Sequence, residues 1–376
     1  MVVLGEGLPD IGGSGANQAD LAVRLAGRGH PVAFASRWPV PEEGSRIRAL
    51  QAAGVDLLVP QPRIFQAMAL AAKAVSLGSV QRSHKLRAVL LDQQLKLAVR
   101  RWARGRHGVV VHVIGRETAQ PLQTLKQLGF PIVFSELGQL LNLGIAEAEV
   151  RARPLRVAAY SADSSKAARL LSDVEGAPVP FVPSVGGFSD EPRPPREIAE
   201  HFGTISRLDP VKRVHVAVAA FARFNRGRLT IYGDGSELEA VRRAIEDCAV
   251  GDRVTMAGAV RPDTIAAALD DLDALLLPSA DSEGTPVAVL EAMSRGRAVI
   301  ATPVGGLVDI LEDGVSGLFF DGSPEDLADK LAAVSEPGVA AKLGAAARAA
   351  WVERLSPDRV VDQFEAIYAS LTPPSG

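Results

Sequence analysis

Along the chain, short runs of apolar residues alternate with amphipathic stretches, and the alternation recurs from one end to the other. Val2 to Leu4, Val32 to Ala35, Val109 to Ile114 and Pro131 to Ser135 read as strands in the first half. Phe202 to Ser206, Leu229 to Tyr232, Arg253 to Gly258, Asp273 to Leu277 and Ala298 to Ala301 read the same way in the second. Apolar runs of this length, without polar alternation, suit strands of a parallel sheet covered on both faces. Helices are predicted between them at Ala16 to Ala26, at Val214 to Phe224, and from Pro286 to about Arg295, with Gly296 as the stop. Thr285 stands as N-cap of the last of these, and Pro286 as its first helical residue. Pro357 to Leu371 gathers Val360, Val361, Phe364, Ile367, Tyr368 and Leu371 on one stripe. Strand and helix in alternation define the α/β class with doubly wound parallel sheets, whose ligands sit beyond the carboxyl ends of the strands.

At 376 residues the chain is natural for two such domains. Six prolines between 177 and 196, with Gly186-Gly187 among them, mark a linker. The reading is therefore a first domain over 1–185, a linker over 186–196 and a second domain over 197–356. A net charge of −3 offers no case for nucleic-acid binding, and a single cysteine, Cys248, excludes an internal disulfide or a cysteine-based metal cluster. The opening Met-Val-Val-Leu-Gly-Glu is not a leader pattern, and Lys73 interrupts the most apolar stretch, Ile64 to Val80. A cytoplasmic protein is expected. The charge is unevenly spread: residues 63–106 hold ten Lys or Arg against the one acid Asp92, at helical spacing with Leu86, Val89, Leu90, Leu97 and Val99. Such a segment suits an anionic membrane surface, here the inner face, or an anionic acceptor; a solvated helix face is the alternative.

The chemistry concentrates around Asp273 to Thr302. Glu283 lies in the loop after a strand, Glu291 lies in the helix that follows, and between them the helix start offers free backbone N–H groups at Val287 and Ala288. Acceptor-only carboxylates beside an anion-binding helix end fit a ligand that is part polyol and part phosphate. Arg207 and Lys212, between a strand and a helix start, complement a pyrophosphate, one as a planar fork and one as a point charge. A glycine-rich loop, Gly12-Gly13-Ser14-Gly15, is expected before the first helix, with Gly13 and Gly15 allowing close approach of phosphates. A dinucleotide fingerprint fails, because Gln18 replaces the third glycine and Ser36-Arg37 supplies no ribose-binding acid. Asp271-x-Asp273 is not read as a metal site, since Asp273 opens a buried strand and should bond locally.

Glu283-Gly284, then Glu291-Ala292-Met293, Gly296 and Gly305-Gly306 together resemble the nucleotide-sugar signature of the family-4 retaining glycosyltransferases. Arg28-Gly29-His30 resembles a turn of the same family, and Gly203 to Arg213 resembles its diphosphate element, with Arg213 where a glycine is usual. The resemblance implies the GT-B fold, two Rossmann-like domains facing across a cleft, with a last helix (about 357–376) returning to the first. It implies transfer of a hexosyl unit from a nucleoside diphosphate sugar, most simply UDP-linked, to a lipid-linked, polysaccharide or small-molecule hydroxyl. No metal and no cofactor beyond that donor is implied. Glu283 and the backbone of Gly284, Thr285, Pro286 and Val287 would hold the sugar, Glu291 the ribose, and Gly233 would turn beside the base. Arg207 and Lys212 would stabilise the leaving diphosphate. On the acceptor side the family places a His at the strand carrying His112, and another where this chain has Glu136 and Leu137. That departure leaves two alternatives, a non-catalytic nucleotide-sugar-binding subunit or a sugar epimerase of the same fold.

Overall fold

Two parallel sheets of six strands each organise the protein. This is a computed structural model, in which the described residues are 1–4, 12–39, 44–60, 65–68, 70, 80–115, 121–137, 150–151, 154–194, 196–280 and 283–372. The first sheet contains β1 (Val2–Leu4), β2 (Ala33–Ala35), β3 (Asp56–Leu58), β4 (Val111–Ile114), β5 (Ile132–Glu136) and β6 (Ala159–Ala162). It is ordered β3-β2-β1-β4-β5-β6. The second contains β7 (His201–Ile205), β8 (Arg228–Tyr232), β9 (Val254–Gly258), β10 (Ala274–Leu277), β11 (Ala298–Ala301) and β12 (Leu318–Phe319). Its order, β12-β11-β10-β7-β8-β9, is the same winding repeated. The winding reverses between β1 and β4, and again between β7 and β10. A crevice opens at each reversal, where the loops leave in opposite directions.

The helices among the described residues are α1 (Gly12–Gly27), α2 (Ser45–Ala52), α3 (Val80–Trp102), α4 (Leu122–Lys126), α5 (Ser165–Glu175), α6 (Val214–Phe224) and α7 (Leu238–Asp247). They continue with α8 (Ile265–Asp271), α9 (Val287–Ser294), α10 (Leu307–Ile310), α11 (Pro324–Val334), α12 (Val339–Ala350) and α13 (Pro357–Leu371). Each sheet is covered on both sides. Phe202, Leu229, Ile231 and Leu276 pack with Val218 and Phe221 of α6 on one face of the second sheet; Leu275, Leu277 and Val299 pack with Val289, Leu290 and Met293 of α9 on the other. This double cover is why β10 and β11 are apolar at every position.

Two local expectations change. The helix α1 begins at Gly12, so Gly13 and Gly15 lie in its first turn and not in a loop before it. Glycine costs about 1 kcal/mol per residue in a helix, which is outweighed here by burial of Ala16, Ala19, Leu21, Ala22 and Leu25. The segment ahead of it, residues 5–11, lies outside the described residues. Asp273 is wholly buried, but its bonds are not local: Oδ2 accepts the N–H groups of Glu200 and His201, both at 2.9 Å, and Oδ1 accepts Arg196 at 2.9 Å. It fastens the start of β7 and the linker to β10.

The final helix α13 lies on the first sheet's side of the molecule. Val360, Val361, Phe364 and Tyr368 join the core formed by Val3, Ala19, Leu21 and Phe34. At its rim Arg28 reaches Asp362 at 2.6 Å and Glu365 at 2.7 Å, while His30 meets Glu365 at 2.6 Å. The Arg28-Gly29-His30 turn is thus a dock for this helix. Among the described residues no helix is long and apolar enough to cross a membrane.

His112 corrects its acceptor-side assignment. It sits inside β4 with 0% exposure; Nδ1 lies 2.8 Å from the Tyr368 hydroxyl and Nε2 lies 2.6 Å from Ser135 Oγ. Both nitrogens are engaged within the core, and neither is presented to the cleft. Burial pushes its pKa down to about 3. An unfolded histidine titrates near 6.5, so the stability this neutral ring contributes is present above pH 6.5 and is lost as pH falls toward 3. Urea unfolding of the wild type should therefore lose about 1.4 kcal/mol per pH unit more below pH 6.5 than unfolding of His112→Asn. Parallel pH slopes for the two proteins would contradict this account.

Candidate functional site

The loops after β7 and β10 leave on either side of the second sheet's reversal and meet there. After β7, Pro210–Lys212 forms a single 3₁₀ turn, and the Val211 carbonyl accepts the N–H of Ala280 at 2.8 Å, tying one loop to the other. Lys212 Nζ then lies 2.5 Å from Glu283 Oε1, and Ser279 Oγ donates to the same oxygen at 2.6 Å. The Glu283 side chain is almost fully buried and the Lys212 side chain is 17% exposed. A pair this enclosed holds both loops in register, because either partner alone would be a poorly solvated charge.

Thr285 does not cap α9, whose first residue is Val287 with Pro286 as its N-cap. Its hydroxyl is used elsewhere: it donates to the carbonyl of Asp163 at 2.6 Å, and its N–H donates to Asp163 Oδ2 at 3.0 Å. Asp163 belongs to the first domain, directly after β6. The start of α9 is thereby left without a side-chain cap, and Val287 and Ala288 have backbone N–H groups with no partner among the described residues. Gly284, Gly305 and Gly306 explain how the loop fits. A Cβ on Gly284 would overlap the Asp163 carboxyl, and one on Gly305 would overlap the Glu283 carbonyl. Gly306 donates its N–H to Glu283 O at 3.0 Å. Asp309, three residues on, accepts the N–H of Ser165 at 2.8 Å, a second bond from one domain to the other.

Glu291 lies on the face of α9 that looks across the cleft, and it is 7% exposed. Burial pushes its pKa up to about 8; Arg46 of α2 opposes the shift and Asp20 of α1 adds to it. Those two first-domain residues, 3.5 Å apart as a pair, face the same space. Arg207 is in the β7 loop but does not join Lys212: its guanidinium is exposed and pairs with Asp209 at 2.8 Å. Gly233 closes the β8 loop, donating to Gly258 O at 2.8 Å and lying against the Ser206 backbone. Glu136 ends β5 wholly buried, and its carbonyl accepts the N–H of Asp163 at 3.1 Å. The structure therefore brings together Lys212, Glu283, Gly284, Thr285 and the start of α9, with Glu136 alongside through Asp163. Glu291 stands one helical turn further along. Asp163 and Ser279 carried no assignment from the sequence, since each is of a type too common to single out without its distant or loop partner.

The two sheets and their winding are the GT-B fold. An Anabaena protein, HepE, solved with UDP and glucose, superimposes with a TM-score of 0.77 at 18% identity, covering 98% of this chain and 99% of its own. Sucrose-phosphate synthase from Thermosynechococcus elongatus superimposes with a TM-score of 0.74, again at 18% identity and covering 99% of both chains. Residues 199–336 match the family described as glycosyl transferases group 1. The N-acetyl-alpha-D-glucosaminyl L-malate synthase of Bacillus anthracis is 30% identical over 169 residues, 44% of this chain and 44% of the relative. The D-inositol 3-phosphate glycosyltransferase of Acidothermus cellulolyticus is 34% identical over 161 residues, 39% of this chain and 36% of the relative. The matches thus span less than half the length of these relatives.

Arg213 occupies the position where the resemblance leads one to expect glycine, and the backbone shows why. Its φ of 47° and ψ of 39° lie in the left-handed region. The guanidinium donates to Gly322 O at 2.9 Å, a contact glycine lacks. Arg213→Ala keeps the strain and loses the bond, whereas Arg213→Gly loses the bond and relieves the strain. The glycine variant should be the more stable of the two by about 1–2 kcal/mol in thermal or urea unfolding. Equal stabilities would refute the strain.

Proposed function

We propose that this protein is a retaining glycosyltransferase, moving a hexosyl unit from a nucleoside diphosphate sugar, UDP-linked, to a hydroxyl acceptor. The observation that carries the reading is the Lys212–Glu283 pair at the second sheet's reversal, beside N–H groups at the start of α9 that have no partner among the described residues. In this reading residues 197–356 bind the donor, and 1–185 with the last helix receive the acceptor. Lys212 and the helix-start N–H groups take the diphosphate, and Arg207, exposed on the same loop, swings from Asp209 to the phosphates. These groups stabilise the charge that grows on the leaving diphosphate, the main catalytic term available to such a site. Glu283 and the Gly284-Thr285 backbone orient the sugar, and Glu291 accepts the ribose hydroxyls. Substitution on the face the diphosphate leaves asks for no enzyme nucleophile. The relatives named above are glycosyltransferases or synthases of glycosyl products, and the HepE structure holds UDP and glucose.

The acceptor side is read from α3. Among its described side chains Lys85, Val89, Gln93, Leu97, Arg100 and Arg101 are exposed, followed by exposed Arg104, so cations and apolar side chains share one outward face. Arg106 instead stacks on Trp102, with 4.4 Å from guanidinium to ring centre. A face of this composition supports an acceptor at an anionic membrane surface, approached from the cytoplasm. Attraction to such a surface is worth about 1 kcal/mol per basic residue and fades with salt.

A panel of UDP-, GDP- and ADP-sugars is the first test. One of them should raise the melting temperature and, without acceptor, release free nucleotide slowly; stabilisation with no release would favour a binding subunit. Lys212→Ala should retain the fold and lower turnover by roughly ten- to a hundredfold.

A second test uses the Glu291 proton. With its pKa near 8 the group is largely protonated at neutral pH, and ribose hydroxyls donate best to the ionised form. Nucleotide binding at pH 7 should therefore release close to one proton, seen as a buffer-dependent heat in calorimetry. The release should vanish in Glu291→Gln; the same heats in both proteins would remove Glu291 from the ribose site.

For the acceptor side, wild-type protein should sediment with anionic vesicles at low salt. Replacing Arg100, Arg101 and Arg104 with Gln should abolish that. Absence of vesicle binding by the wild type would exclude membrane-surface action.

A further inference from the structure

A cavity of about 180 Å³ opens at the carboxyl end of the first sheet, between the segments that leave β2 and β3 and the inner side of α3. Leu58, Pro60, Leu91, Leu95 and Ala98 give it apolar walls. An apolar cavity of roughly 150 Å³ already takes up benzene, so this one has room for part of an alkyl chain. Three polar side chains share the lining, Ser36, Arg37 and Gln94. Arg37 is 8% exposed and is held by Asp92 of α3, with Nε 2.7 Å from Oδ1.

A cation and two aromatic rings adjoin it. Arg87 stands one turn of α3 before Leu91, on the stripe that continues through Gln94 and Ala98. Its guanidinium lies 4.3 Å from the ring centre of Phe65 and 5.3 Å from that of Trp38. Trp38 meets Phe65 edge-on at 5.6 Å, directly follows Arg37, and is 45% exposed. A half-exposed indole with a cation at its face, next to an apolar recess, suits the level at which the chain and head of an amphiphile part. The exposed Lys85, Val89, Leu97 and Arg100 point from the other side of α3. One helix thus carries its outward face on one side and the cavity on the other. The cavity also lies two strands out from the β1–β4 reversal, about 10 Å at the usual strand spacing.

We propose that this cavity binds the alkyl chain of an anionic lipid, the chain lying among Leu58, Pro60, Leu91 and Ala98 and the anionic head beside Arg87. The inference rests on the membrane-surface reading of the acceptor and deepens it: α3 meets the bilayer with its outward face and shelters a single chain behind it. Charge selects this occupant over a neutral one. Residues 63–106 hold ten Lys or Arg against Asp92 alone, and Asp92 is committed to Arg37. Arg87 is stacked on the two rings and has no carboxylate partner among the described residues, so its charge is available to a phosphate. The crevice at the reversal is near enough for one molecule to reach both places.

Titration calorimetry with butyl, hexyl and octyl phosphate, each below its micelle concentration, tests the chain. Wild-type affinity should rise about fourfold per methylene until the cavity is full. Ala98→Phe, which fills the cavity from α3, should lower octyl phosphate affinity about tenfold or more and leave butyl phosphate within about twofold. It should still sediment with anionic vesicles as the wild type does. Arg87→Gln should lower octyl phosphate affinity about tenfold and leave neutral octyl glucoside within about twofold. A flat chain-length series in the wild type overturns the proposal, and that measurement needs no variant to fold. Undiminished octyl phosphate binding by a folded Ala98→Phe overturns it too, as does equal wild-type affinity for octyl phosphate and octyl glucoside. Failure of the membrane reading has a different mark. A wild type that binds octyl phosphate but does not sediment with anionic vesicles loses that reading and keeps the chain site, whereas sedimentation without alkyl phosphate binding overturns the chain site alone.

Discussion

The peptide at Gly284 is held between the backbone turn at Gly305-Gly306 and the carboxyl of Asp163, which follows β6. Gly305 and Gly306 approach the carbonyls of Glu283 and Gly284 too closely for any side chain. On the far side the Asp163 carboxyl occupies the space a Cβ on Gly284 would need. The segment from Glu283 to Thr285 consequently has little room to shift. Its fixed course aims Glu283 at Lys212 and leaves the start of α9 uncapped. A fixed dipole and a fixed ion pair facing one space is the pre-organisation that electrostatic catalysis needs.

The site is short of positive charge for its carboxyl content. Lys212 serves Glu283, Arg207 serves Asp209, and Arg46 stands opposite Glu291 with Asp20 beside it. A ligand bearing a diphosphate must draw cations from these pairs, whereas its hydroxyl groups satisfy the carboxyl oxygens released. A molecule with both kinds of group therefore suits the site better than an anion or a polyol alone. Burial raises the carboxyls of both Asp163 and Glu291 above their ordinary range, and at Glu291 the lowering effect of Arg46 is opposed by Asp20.

Much of the second domain was legible in the sequence because its strands are covered on both faces. Ala298 to Ala301 was bounded as the structure has it, and Asp273 to Leu277 missed by one residue. The first sheet was less legible. Asp56–Leu58 is an edge strand with exposed Asp56, and Ala159–Ala162 carries Tyr160 and Ser161, so neither reads as an apolar run. At the site, Lys212 and Glu283 were visible as residue types, but their pairing spans 71 positions and only the fold supplies it. Thr285 looked like a helix cap because caps are recognised by local spacing, and its real partner is 122 positions away. Asp163 sits in Asp-Ser-Ser ahead of a helix, a composition shared with any N-terminal turn. His112 was ambiguous for the opposite reason: a histidine in an apolar strand has no local sign of whether Tyr368 or a ligand will meet it.

The chain passes from one sheet's side to the other twice, outward between β6 and β7 and back where α12 gives way to α13. The two crossings touch. The Trp351 indole donates to the Gly186 carbonyl at 3.0 Å, and the same ring lies so near Gly187 that a Cβ there would come within 2.7 Å of it. Any side chain at Gly187 would push the indole away from Gly186, so the two connections are tied together through a single ring.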